Sequence, residues 1–466
     1  MLFRERGDEV SGSDVSFDPP IGPALEAAGI RTMKGYDPAH LEPRPDVVVI
    51  GNAIRRDNPM ALRASEEQLA FVSMSGALRE YFLKGRTPLL VAGTHGKTTT
   101  SSIAAYLLHA AGLEPGYFIG GLPKDLPSGA ALGSTKRKIG ASGAPPSPFV
   151  VEADEYDAAY WNKQPKFFDY VGASDRDVVI LTSIEHDHID IYDSEEKYVA
   201  AFRGLVERIP PQGLLVADAS YPAVRELAKH AKCEVRFYAL EGDDVGDVTP
   251  TWQGALVPMN GAATQKFDLF GAGSSFGRLE LAVPGAHNVR NAIAAFAAVT
   301  EGFGVDTLLA RRALAQFSGV RRRQDLLGAP AGISVYDDFA HHPTAVRETL
   351  SALRAKHKDG KLIAVFEPRS ATACRSIHQT EYVRAFDAAD KILFAPLGRT
   401  NIPEAERLDT DRLAKEIGDR ALAKATVDEI LEDLVRDAKP GDVIALLSNG
   451  AFGGIHGKLL ARLAQR

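Results

Sequence analysis

Leu89-Leu90-Val91-Ala92-Gly93-Thr94-His95-Gly96-Lys97-Thr98-Thr99-Thr100 runs from an apolar segment, through two glycines, into a segment that can start a helix. That is the layout of a strand, a phosphate-cradling loop and a helix N-terminus. Backbone N–H groups and the positive end of the helix dipole face an anion in such a turn. Lys97 is placed to reach β- and γ-phosphates, and the Thr98 hydroxyl to ligate Mg²⁺. Gly93, Thr94, His95, Gly96, Lys97, Thr98 and Thr99 are therefore the first candidates for ATP binding. The loop is shorter than an ordinary Walker A loop: Gly93 stands three residues before Gly96, where G-x-x-x-x-G-K-[ST] requires five. The helix is expected over Thr99 to Ala111.

The bulk composition sets limits around this loop. A chain of 466 residues exceeds one ordinary core, so several domains are expected. Its net charge of −7 gives no nucleic-acid footprint. Apolar runs such as Val47 to Ile50 are too short to span a bilayer, so no membrane insertion is expected. No apolar leader follows the charged Arg4 to Glu9 stretch. Only Cys233 and Cys374 are present, which excludes a disulfide framework and fits a cytoplasmic location. Any metal must be held by oxygen and imidazole.

The pattern of apolar runs and breakers predicts an α/β protein of three α/β domains. Residues 1–88 read as a Rossmann-like unit, with a helix tail at Leu2 to Arg6 capped by Gly7 and a strand from Glu9 to Ser13 ending at Asp14. A helix from Ile21 to Ala28 and a buried strand from Asp46 to Asn52 follow. A doubly wound unit opens with a strand and a Gly-rich turn. Both are missing here, so the first domain is expected to lack its first strand. A chain extended upstream by about 20 residues, one strand, turn and half-helix, is expected to bind a nucleotide more tightly. Residues 89–322 read as a P-loop ATPase-like domain with strands at Phe149 to Glu152 and Asp177 to Leu181 and a helix from Asn288 to Glu301. An insertion from Pro123 to Pro148 carries Lys136-Arg137-Lys138, read as a solvated loop. Residues 323–466 read as a second Rossmann-like unit.

Three further clusters follow strands, where open α/β sheets collect ligands, and a fourth, Gly285 to Ala292, precedes an alanine-rich helix. Val150 to Asp157 carries four carboxylates, and Glu152, first after the strand, is the best Mg²⁺ candidate. Thr182 to Asp190 brings His188 beside acids. Gly285 to Ala292 brings His287, Asn288 and Asn291, which can meet a purine edge, although Asn288 can equally be a helix cap. Tyr336 to Pro343 sets Asp338, His341 and His342 before a proline that starts a helix. Arg323 lies in the basic run Arg321 to Arg323 at a domain junction, where a guanidinium can clamp a polyphosphate or simply face water.

GTHGKTTT, EADEYD, SIEHDHID, GAHNVRNA, RRRQD and YDDFAHHP stand in the order found in the Mur ligase family, which the chain resembles over essentially its whole length. The resemblance implies ATP-dependent, ADP-forming amide synthesis in peptidoglycan metabolism, with ATP as co-substrate and Mg²⁺ as cofactor. It implies that Lys97 binds phosphate, that Thr98 and Glu152 bind one Mg²⁺ and that His188 binds another. His287, Asn288 and Asn291 would hold the adenine side, and Arg323 and Asp338 would complete the nucleotide site. Lys97, His188, Asp338, His341 and His342 are the catalytic candidates.

The stretches Gly51-Asn52-Ala53, Phe366 to Ser370 and Ser448 to Ile455 resemble the branch that joins a murein tripeptide to UDP-N-acetylmuramate in peptidoglycan recycling. The L-alanine-adding branch is the alternative; a nucleotide-binding protein inactive for want of the Gly-rich turn is another. Asp14, Asn52, Arg369 and Ser448 are the substrate candidates. Other members carry a carbamylated lysine where Phe202 stands here, so none is expected. The expected assembly is a monomer or weak dimer without a nucleic-acid partner.

Overall fold

The structure, a computed structural model, describes all residues except 18–20, 135–146 and 400. The basic triplet Lys136-Arg137-Lys138 lies outside the described residues.

The strand Thr87–Ala92 is buried along its whole length. Leu89 and Val91 face one apolar core, and Leu90 and Ala92 face another. This is the period of two for a strand covered on both faces. On one side it pairs in parallel with Pro148–Glu152, and on the other with Val178–Leu181, which pairs with Leu214–Asp218. Among the described residues the sheet has ten strands, and its far edge turns antiparallel through Trp252–Val257, Gln265–Gly271 and Ser274–Leu281. The helices Lys97–Ala110 and Ala286–Phe303 cover one face. Phe167, Tyr170 and the helix Glu195–Glu207 cover the other.

The third unit repeats this plan. Ser334–Asp338, Val443–Leu447, Leu362–Phe366, Lys391–Phe394 and Ala421–Ala423 pair in parallel, and Asp325–Gly328 adds an antiparallel edge. Ala364 and Phe366 face one core while Ile363 and Val365 face the other.

The first unit departs from expectation. Among the described residues its strands form two separate parallel pairs, Ser11–Asp14 with Arg31–Lys34 and Val48–Ile50 with Phe71–Ser73. The strand expected to be buried over Asp46 to Asn52 is the short Val48–Ile50, and Val49 is 39% exposed. A two-stranded pair cannot bury both faces, so the apolar run reads as more interior than it is. The helix of the phosphate loop also begins earlier than expected, at Lys97 rather than Thr99.

Candidate active site

Gly93 and Gly96 both adopt left-handed φ, 127° and 80°. A Cβ on Gly93 would lie 2.2 Å from Thr182 Oγ1, and one on Gly96 would lie 2.4 Å from Asn291 Oδ1. The loop therefore needs glycine twice over, for backbone conformation and for space. Neighbouring segments brace it: the Thr94 amide donates to Ser183 O at 2.9 Å, the His95 amide to Ser183 Oγ at 2.9 Å, and Thr182 Oγ1 donates to His95 O at 2.6 Å. Lys97 Nζ curls back to donate to Gly93 O at 2.6 Å and to Glu155 Oε2 at 3.0 Å.

Glu155 is fully buried and central to the charge arrangement. It pairs with Lys97 and with His188 Nε2 at 3.1 Å, and accepts from Tyr198 OH at 3.1 Å. Burial pushes its carboxyl up, but Lys97 and His188 win and hold it down at about 2. Burial works against the ammonium of Lys97 too, yet Glu155 and Asp154 leave its pKa raised. His188 sits at φ 54°, a strained position for a non-glycine residue, with Tyr156 OH 2.9 Å from its Nδ1. Burial opposes its positive charge, and Glu155 and Asp187 raise its pKa nonetheless. The composition of EADEYD led to Glu152 and passed over Glu155, because its tuck beneath the loop depends on how the chain turns after the strand.

Glu152, at the strand end, accepts from Thr98 Oγ1 at 2.8 Å and from the Gly120 amide at 2.7 Å. Burial and Asp154 raise its pKa. Arg323, from the chain entering the third unit, donates to Thr98 Oγ1 at 3.2 Å and lies over the Phe339 ring at 4.8 Å. Asp338 accepts from the amides of Gln324 and Ala340, both at 2.7 Å, so it locks two loops together.

On the far side of the cleft, Asn288 donates to Pro284 O at 2.7 Å and Asn291 to Asn288 Oδ1 at 3.4 Å. His287 lies 3.2 Å from Gln324 Nε2 and 3.4 Å from Glu348. His95, Thr98, His287, Asn288, Asn291, Arg323 and Asp338 line one cleft, together with Asp218, Tyr221 and Arg290. Asp218 ends the strand Leu214–Asp218 and followed the same strand-end rule as Glu152; that signal was present in the sequence and went unused.

The sequence matches three family profiles: Mur ligase family, catalytic domain, over residues 1–85; Mur ligase middle domain over 91–299; and Mur ligase, glutamate ligase domain over 322–450. The chain belongs to the Mur ligase family. Like other Mur ligases it is an ATP-dependent, ADP-forming ligase. It is 36% identical to the UDP-N-acetylmuramate–L-alanyl-γ-D-glutamyl-meso-2,6-diaminoheptandioate ligase of Escherichia coli K12, covering 100% of this chain and 95% of that one. It is 39% identical to the UDP-N-acetylmuramate–L-alanine ligase of Kineococcus radiotolerans over 84% of this chain and 77% of that one. Its fold superposes on the murein peptide ligase of Psychrobacter arcticus with a TM-score of 0.71 at 33% identity, covering 100% of this chain and 95% of that chain.

A second cavity in this Mur ligase, of about 270 Å³, opens beside the Lys97–Glu155–His188 centre. Tyr156, His188 and Asp190 of the middle unit face Arg369, Ser370, Arg399 and Asn449 of the third across it. A Cβ on Gly450 would lie 2.0 Å from Arg369 Cδ, so this glycine gives the arginine its path. Two of the four expected substrate residues, Asp14 and Asn52, line neither cavity. Asp14 accepts from the Val15 amide at 2.6 Å and from Tyr36 OH at 3.1 Å in the first unit. Ser448 does not reach the cavity either. It is fully buried, donates to Glu367 and accepts from the Gly450 amide at 2.9 Å, so it shapes the loop that carries Asn449. Arg399 was not anticipated, and no sequence pattern marks it.

The donors fit magnesium. Thr98 Oγ1 and Glu152 form an all-oxygen pair next to the phosphate loop, as a hard divalent ion requires. Glu155 with His188 forms a second, mixed pair. Phe202 is fully buried in apolar surroundings. No described helix is long and apolar enough to cross a membrane.

Proposed function

We propose that this Mur ligase joins the free amine of L-Ala-γ-D-Glu-meso-diaminopimelate to the lactyl carboxyl of UDP-N-acetylmuramate, with ATP and Mg²⁺, in cytoplasmic peptidoglycan recycling. The observation that carries this reading is the second cavity. Two guanidinium groups, Arg369 and Arg399, line it, and it reaches the centre through His188 and Tyr156. L-alanine presents one carboxylate, whereas the tripeptide presents three. Guanidinium forks suit carboxylates.

The proposed chemistry follows the geometry. The cleft holds the nucleotide with its phosphates over Gly93–Lys97, and Lys97 exchanges Gly93 O for phosphate oxygens. The lactyl carboxylate attacks the γ-phosphorus, the bond to ADP breaks, and an acyl phosphate forms. Thr98 and Glu152 would hold one Mg²⁺ and His188 a second, and such ions would supply positive charge to the transferring group. Glu155 keeps Lys97 charged and His188 oriented. The acceptor amine then attacks the acyl carbon, loses a proton, and phosphate leaves. Arg323 on Thr98 and Gln324 on His287 hold the third unit against the middle one, which excludes water from the acyl phosphate. Arg369→Ala is expected to raise the tripeptide KM by about tenfold or more, the cost of one charge-assisted pair, and to leave the KM for ATP unchanged. An unchanged tripeptide KM contradicts the reading.

The L-alanine-adding reaction is the second reading, favoured by the identity to the Kineococcus enzyme.

A further inference from the structure

One cluster at the edge of the nucleotide cleft, whose lining it shares through His95, has side chains that the proposed steps do not use. His95 of the phosphate loop, Glu185 after the strand Val178–Leu181 and His342 at the start of the helix Pro343–Lys356 converge where the middle and third units meet. Their ligand atoms all lie within 4.8 Å of one another. Glu185 Oε2 is 2.9 Å from His95 Nε2 and 3.4 Å from His342 Nδ1. Around a tetrahedral zinc ion with bonds of 2.0–2.1 Å, neighbouring ligand atoms stand about 3.3 Å apart.

Neither neutral form of the His342 ring is satisfied as it stands. Its Nδ1 accepts from the Thr344 amide at 3.3 Å, which puts the proton on Nε2. Nε2 is buried without a partner, and the same Nδ1 then faces the Glu185 carboxylate, acceptor to acceptor. With the proton on Nδ1, the Thr344 N–H meets another N–H and the Nε2 lone pair has no donor. A cation between Nδ1 and Oε2 removes the clash of acceptors, taking the single Nδ1 lone pair in place of the Thr344 N–H and leaving Nε2–H as it is. The protonation states suit such an ion. Burial, together with His95 and His378, drives His342 well below its usual pKa and keeps it neutral. Burial opposes ionisation of Glu185, but hydrogen bonding from His95 and the charge on that ring hold it at about 2.

We propose that His95, Glu185 and His342 form a site for a divalent transition-metal ion of the zinc class, which ties the third unit to the middle one. Two imidazoles and one carboxylate favour zinc or cobalt over magnesium, which prefers oxygen. The ligands come from both units, so a bound ion holds the closed arrangement.

The test is calorimetric titration of the metal-stripped full-length protein with Zn²⁺ in the presence of excess Mg²⁺, paired with the visible absorption spectrum of added Co²⁺. One Zn²⁺ per chain and the bands of tetrahedral cobalt are expected. Glu185→Gln in the middle unit and His342→Asn in the third should each weaken Zn²⁺ binding by at least about 100-fold, more than loss of an outer contact costs. Glu152→Gln, which alters the Thr98 pair, should leave it intact. Two variants from different units guard against a folding failure of either. The absence of Zn²⁺ binding under Mg²⁺ overturns the proposal. So does binding that is lost in Glu152→Gln and kept in Glu185→Gln.

Discussion

Glu155 shows what a single residue contributes here. It has no exposed surface, yet it carries a charge that two cations share. Its depressed pKa means that its contribution to stability is present above the ordinary carboxylate value of 4.5 and is lost as pH falls towards about 2. Removing one partner of a buried pair leaves the other charge uncompensated. Glu155→Gln is therefore expected to cost about 3–5 kcal/mol of stability. It should also lower ADP formation by about 100-fold, the scale of losing one aligned electrostatic group. Denaturant titration and a coupled ADP assay check the two effects separately. Glu152 was legible in the sequence because strand ends are where ligands gather; Glu155 was not, because burial after a turn leaves no periodic trace. Ser448 shows the opposite limit. A serine at a strand end reads as a ligand, but the structure uses its hydroxyl to hold Glu367.

Elements fixed by backbone geometry were the most legible. The strand Thr87–Ala92 and the helix Lys97–Ala110 follow from an apolar run, two glycines and a helix-compatible segment. The strands Leu362–Phe366 and Val443–Leu447 match their apolar runs residue for residue. The short Val48–Ile50 misled, because hydrophobicity reports what a segment can bury and not what its neighbours supply. The acceptor loops test this scale. Gly450→Ala puts a methyl group 2.0 Å from Arg369 Cδ, so the arginine must leave its path. The expected result is a raised acceptor KM with the KM for ATP unchanged, since Gly450 does not line the nucleotide cleft. Equal rises in both constants would show that the loop supports the whole site instead.

Across the whole molecule, the proposed catalysis depends on two units meeting, and buried charges in the cleft make the fold sensitive to pH. Asp218 in the nucleotide cleft is lifted to about 6 by burial, against the opposing pull of Ser220 and Arg290. A carboxyl raised in the folded state favours folding at low pH and loses that advantage as pH climbs from 3.8 to about 6. The loss is on the order of 3 kcal/mol once both states are ionised. Asp218→Asn should remove this slope, so its stability relative to the parent should rise between pH 4 and 7. Parallel pH profiles of the two proteins would contradict the assignment. The acceptor cavity lay beyond the sequence, because Arg399 and Asn449 converge with Tyr156 and His188 only through the packing of separate units. The most direct test of the central claim compares acceptor-dependent phosphate release with UDP-N-acetylmuramate and ATP held constant. The account predicts a kcat/KM for L-Ala-γ-D-Glu-meso-diaminopimelate at least about 100-fold above that for L-alanine, because the small acceptor leaves the guanidinium groups unmatched. An equal or higher value for L-alanine would contradict it.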